Sequence, residues 1–122
     1  MTWLLVGSGG ALGSMARHGV NILVGRWLGS PLPYATAVVN IVGCACIGVL
    51  AGLLSADVIR MSAHVRVFVF VGVLGGFTTF SSFGLDTLAL VREGDVGLAL
   101  SNVAAQVSLG LGSVFFGYWI SK

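Results

Sequence analysis

Charge is what this sequence has least of. Only 8% of its 122 residues are Asp, Glu, Lys or Arg, where soluble domains carry about a quarter. No acidic residue occurs before Asp57. With 57% of the chain apolar, the composition is that of an integral membrane protein rather than a soluble domain. The net charge of +2 is small and scattered, which excludes a nucleic-acid surface. Cysteine is scarce too. Cys44 and Cys46 lie two residues apart, about 200° around a helix, so they cannot bridge within it and read as small packing residues. Histidine is limited to His18 and His64. Neither has a partner at metal-ligand spacing, and both read as interface residues. Ser81 and Ser82 have no base nearby in the sequence. No enzyme constellation is present, and none is expected.

What is there is hydrophobic length. Four segments, at about 3–24, 34–54, 67–91 and 96–120, are each apolar over the roughly 20 residues that a ~30 Å hydrocarbon core requires. The expectation is an all-α membrane protein, residues 1–122 forming a single four-helix transmembrane domain with no room for a soluble one. The first segment begins at Trp3 with no basic stretch before it and no small-residue cleavage pattern after it. It is therefore expected to remain in the mature chain. Gly29, Ser30, Pro31 and Pro33 mark the first connection. Residues 55–66, with Asp57, Arg60, His64 and Arg66, form a solvated second one. Glu93, Gly94 and Asp95 make the third, a tight turn.

Within the segments, small and polar residues fall on helical faces. Gly9 and Gly13 in the first, and Gly48 and Gly52 in the second, have the spacing that lets another helix approach closely. Asn40 is the one strongly polar side chain in the second segment, and in hydrocarbon its amide must find partners. It serves either as an interhelical hydrogen bond or as a pore-lining donor. In the fourth segment Asn102, Gln106, Gly110, Ser113 and Gly117 follow at steps of three or four, a face suited to protein or water rather than lipid. Arg17 sits in the second half of the first segment, either snorkelling to the interface or lining a wet mouth.

Orientation signals are balanced. With four spans, Arg60, Arg66 and Lys122 fall on one side and Arg17, Arg26 and Arg92 on the other. The bias that normally fixes topology is absent. The chain is expected to insert both ways round, and two opposed copies then pair as an antiparallel dimer.

The stretch that stands apart is GGFTTFSSF, Gly75 to Phe83. Two glycines followed by two β-branched threonines make a poor helical run, so the third helix is expected to unwind near residues 75–79. Freed carbonyls at that depth need protein or a cavity, and a small hard cation is one suitable partner. Beyond the break, Phe80 and Phe83 share a face. Their electropositive ring edges, with the hydroxyls of Thr79, Ser81 and Ser82 and the amide of Asn40, suit a small anion.

Three stretches, GGALGSMAR in the first segment, TAVVN before Gly43 in the second and GGFTTFSSF in the third, occur in this order and at these separations. Together they resemble the Fluc (CrcB) family of fluoride channels, a resemblance that extends over essentially the whole chain. The resemblance implies a cell-membrane channel for fluoride, built as a dual-topology dimer of four-helix subunits with two antiparallel pores and a central structural sodium ion. By position it implies sodium ligation by the backbone carbonyls of Gly75 and Thr78 and pore phenylalanines Phe80 and Phe83. It also implies pore contacts at Asn40, Thr36 and Ser81, and a vestibule arginine at Arg17. The fourth segment departs from the pattern, with Gly110 and Val114 where some relatives carry hydroxyls. Gln106, Ser108 and Ser113 are the candidates for that pore face, and the departure admits a related subunit in place of a second copy. Two other readings compete. A proton-coupled small multidrug transporter needs an embedded carboxylate, for which Asp86 is the only candidate. A non-conducting assembly subunit leaves Asn40 and the polar face of the fourth segment unexplained.

Overall fold

A computed structural model describes residues 1–30 and 32–122; Pro31, counted among the turn formers of the first connection, lies outside them. The chain is all-helical. Helix α1 runs Thr2–Leu28 and stops at Gly29, whose φ of 76° is a left-handed cap that favours glycine. Helix α2 runs Tyr34–Ser55. The third helix starts at Ala63–Arg66, capped by the Ser62 hydroxyl, which accepts from the Val65 N–H at 3.3 Å. It therefore begins earlier than the hydrophobic run, because the cap and not the first apolar residue sets a helix start. It continues as a π-helix over Val67–Leu74 and returns to α geometry for Gly75–Phe77; residues 63–77 are α3. After an interruption, α4 spans Phe80–Arg92 and α5 spans Val96–Ser121. Between them Gly94 takes φ 84° and the Asp95 carboxylate accepts from the Leu98 N–H at 3.4 Å.

Among the described residues, three helical stretches are long and apolar enough to cross a membrane: Tyr34–Ser55, Ala63–Arg92 and Val96–Ser121. Helix α1 has the length, 27 residues, but its glycines and serines, together with Arg17 and His18, dilute its apolar character.

The helices associate as two tight pairs, α1 with α3 and α2 with α5, and α4 returns against α5. Backbones meet at glycines, which face each other in the first pair and face larger residues in the second. A Cβ on Gly9 would sit 3.0 Å from the Gly72 Cα, and one on Gly76 would sit 2.6 Å from the Gly10 carbonyl oxygen. In the second pair a Cβ on Gly52 would lie 2.6 Å from the Tyr118 carbonyl oxygen, and one on Gly117 would lie 2.9 Å from that of Ala45. These are the close-packed seams of membrane helices, where dispersion replaces the hydrophobic effect.

Burial is inverted relative to a soluble protein. The buried interior holds Ala35, Val39, Leu90 and Ala99 beside the polar Thr36, Thr79, Asn102 and Gln106. Large apolar side chains such as Leu100, Leu111, Phe115 and Trp119 point outward, as a hydrocarbon solvent requires.

Candidate functional site

The third helix breaks at two residues. Thr78 (φ −84°, ψ 160°) and Thr79 (φ −156°, ψ 121°) are extended, the conformation β-branched residues favour. The expected unwinding of the glycines does not occur. Gly75 keeps helical angles of −63° and −37°, because this turn holds Gly76 against Gly10 and close packing outweighs glycine's poor propensity. The glycines pack the helix, and the threonines break it.

Each end of the break is capped from within. The Thr78 hydroxyl donates to the Leu74 carbonyl at 2.9 Å. The Thr79 hydroxyl accepts from the Ser82 N–H at 3.2 Å and caps α4. From α2, the Asn40 side chain pairs with Thr79 as another peptide would. Its Oδ1 accepts the Thr79 N–H at 2.8 Å, and its Nδ2 donates to the Thr79 carbonyl at 2.9 Å. Its second N–H donates to Gln106 Oε1 at 2.7 Å. Both Asn40 donors are thus used within the chain, and Asn40 acts as the interhelical tie. The carbonyls of Gly75 and Thr78 receive no hydrogen bond among the described residues. The interruption removes the amides that would have reached them. Gly43 lets this backbone seat against α2, since a Cβ there would overlap the Thr78 methyl group.

Thr79 stands between two cavities. One, of about 380 Å³, is polar: Arg17, His18, Thr36, Ser81 and Ser82 line it, with Ser14 and Asn21 completing a single face of α1. His18, read from the sequence as an interface residue, lies in this cavity beside Arg17. Thr36 is 7% exposed and its hydroxyl makes no hydrogen bond among the described residues. The other cavity, of about 500 Å³, is mostly apolar, walled by Phe70, Leu74, Phe80 and Phe83, with Asn40, Gln106 and the break as its polar side. The Phe80 and Phe83 rings lie 5.4 Å apart at 46°, and Phe80 is 83% exposed.

Of the sequence candidates, Asn40, Gly75, Thr78, Phe80 and Phe83 converge on the apolar cavity, and Arg17, Thr36 and Ser81 on the polar one. From α5 only Gln106 joins them. Ser108 is exposed, Ser113 is half-buried, and neither lines either of these two cavities. The free cysteines separate, with Cys44 on the apolar cavity and Cys46 exposed. Asn102 and Thr87 have structural roles that periodicity alone did not distinguish. Asn102 Nδ2 donates to the Thr87 hydroxyl at 3.0 Å. The polar step from residue 102 to 106 is the signal that joins Asn102 to the site.

Residues 4–118 match the family described as CrcB-like protein, Camphor Resistance (CrcB). The chain is 48% identical over 114 residues to the Fluoride-specific ion channel FluC of Rhodospirillum centenum, covering 93% of this chain and 90% of that protein. It is 47% identical over 121 residues to the protein of that name from Paracoccus denitrificans, covering 99% and 94%. With the one from Thermus thermophilus it shares 46% identity over 116 residues, covering 95% and 91%.

Proposed function

The chain belongs to the CrcB family, and from that premise we propose that it is a fluoride-specific ion channel of the cell membrane. Fluoride would run passively down its electrochemical gradient, lowering its cytoplasmic level. One observation carries the reading: a helix break inside a long apolar helix separates a cavity lined by the Arg17 guanidinium and hydroxyls from one walled by phenylalanines.

The chemistry follows from the two walls. In the polar cavity Arg17 attracts an anion, and the hydroxyls of Thr36 and Ser81 can donate to it. A donor that makes no bond of its own, as at Thr36, replaces part of the hydration shell without losing a partner. Past Thr79, Phe80 and Phe83 offer ring edges, the positive part of the aromatic quadrupole. That surface holds an anion weakly enough to release it. A small, strongly hydrogen-bonding ion gains most from such donors, and a larger halide fits a narrow path less well.

The family's sodium ion suits the break. The carbonyls of Gly75 and Thr78, left without donors, would hold it, and oxygen ligands match a hard cation. Bound there, it would supply the positive charge that satisfies both oxygens. A second copy in opposite orientation would complete the pathway, a reading supported by the exposure of Phe80 and by the balanced basic residues.

The test is fluoride efflux from liposomes, followed with a fluoride electrode. Wild-type protein is expected to pass fluoride and not chloride, and Phe80→Ile to lower the flux by roughly tenfold. Equal chloride and fluoride flux would refute the assignment. Absence of flux from the purified chain, restored by a related subunit, would replace the homodimer with a heterodimer.

A further inference from the structure

The amide chain behind the aromatic cavity runs in one direction. The Thr79 N–H can only donate, so Asn40 must turn its oxygen toward it. Asn40 then presents its nitrogen to Gln106, whose facing atom must be Oε1. Gln106 Nε2 donates to Asn102 Oδ1 at 2.8 Å, and Asn102 Nδ2 donates to the Thr87 hydroxyl at 3.0 Å. That hydroxyl donates to the Phe83 carbonyl at 2.8 Å. Each link fixes the orientation of the next. Such head-to-tail chains strengthen cooperatively. Asn102 and Gln106 are 5% and 7% exposed, so water has little access to replace a lost link.

The count of donors along this chain is informative. Asn40 has used both N–H groups. Gln106 has used one, retains the other, and borders the cavity of Phe80 and Phe83. Asn102 and Thr87 border neither cavity.

We propose that Thr87 and Asn102 are positioning residues for conduction. Through Gln106 they hold the Asn40 amide in register with the Thr79 backbone and leave the second Gln106 N–H as the amide donor available to the passing anion. The conduction part of this inference rests on the channel reading above. Removal of the Thr87 hydroxyl leaves Asn102 Nδ2 without its acceptor and the chain anchored at its Thr79 end alone. Asn102 and Gln106 then gain a wider range of positions, although Asn40 still sets which atom of Gln106 faces it. The tie between α2 and α5 loosens at the pathway wall, although Thr87 touches neither Asn40 nor Gln106 in this chain of bonds.

The experiment compares wild type with Thr87→Val, which keeps the shape and removes the hydroxyl, and Thr87→Ser, which keeps the hydroxyl. Each full-length protein is assayed for fluoride efflux in liposomes. Side-chain ¹⁵N–¹H amide spectra are recorded in micelles, where Asn21, Asn40, Asn102 and Gln106 are the only such amides. Thr87→Val is expected to reduce flux roughly five- to tenfold and to shift the Asn40 and Gln106 amide resonances. Thr87→Ser should stay within about twofold of wild-type flux with both resonances in place. Wild-type flux in the valine variant, or an unmoved Asn40 resonance, overturns the proposal. If the valine variant does not assemble, Thr87→Ala removes the same hydroxyl without adding bulk and is judged by the same two readouts. A wild-type protein that passes no fluoride overturns the channel reading and the conduction role with it. The amide shifts would still show whether the chain orients Asn40.

Discussion

At the scale of single residues, Asn40 holds the most. Three hydrogen bonds converge on one side chain, and two of them close a peptide-like pair with the only extended backbone in the third helix. Asn40→Ala would leave the Thr79 N–H and carbonyl and Gln106 Oε1 without partners in a part-buried setting. Each such orphan costs about 1–3 kcal/mol, with relaxation recovering some of it. A loss of about 2–4 kcal/mol is expected, visible as a lower melting temperature in detergent. An unchanged melting curve would show that the three bonds add no net stability to the helix contact. The glycine opposite contributes in another way. Gly43 has no side chain to bond with, yet only the absence of its Cβ admits the Thr78 methyl.

At the scale of elements, the third helix joins three backbone geometries in sequence: a π-helix, a short α-turn and an extended pair. Glycines dominate where it meets α1, and substitutions along α1 should separate packing from propensity. A Cβ on Gly13 would overlap the Val73 carbonyl oxygen and lie 2.7 Å from the Phe77 N, whereas one on Gly19 would meet nothing within 4 Å. Gly13→Ala should therefore force the helices apart and cost about 1–3 kcal/mol. Gly19→Ala in the same helix should be neutral or stabilise by up to about 1 kcal/mol. Thermal unfolding of the two variants side by side decides the matter; equal losses would mean that helix propensity rather than the seam governs α1.

At the scale of the whole molecule, polar groups inside and large apolar side chains outside describe a protein solvated by lipid. Thr36, Asn102 and Gln106 are buried, while Phe80 lies exposed on the wall of the apolar cavity. A single chain thus leaves its aromatic wall open. With basic residues evenly divided between the two sides, dual insertion is the expected outcome. A membrane-impermeant label or reporter placed at Lys122 should be reached from both faces of the membrane. Strictly one-sided labelling would rule out an antiparallel homodimer.

Much of this was set by local chemistry. The scarcity of charge and the four apolar runs define an all-helical membrane protein. Gly9 with Gly13, and Gly48 with Gly52, mark the seams because helical spacing alone brings them onto one face. The stretch from Gly75 to Phe83 announces a break because its residue types oppose a continuous helix. Tertiary structure decided where the break falls. Contact with α1 keeps Gly75 and Gly76 helical, so the interruption falls on the two threonines. It also decided that Asn40 spends its donors within the chain, that Gln106 rather than Ser108 or Ser113 reaches the cavity, and that Asn102 and Thr87 belong to the same hydrogen-bonded line. Periodicity assigns a residue to a face but does not name its partner. The bonds from Asn40 reach 39 residues along the chain to Thr79 and 66 to Gln106, and only the packing of helices brings such distant groups within hydrogen-bonding distance.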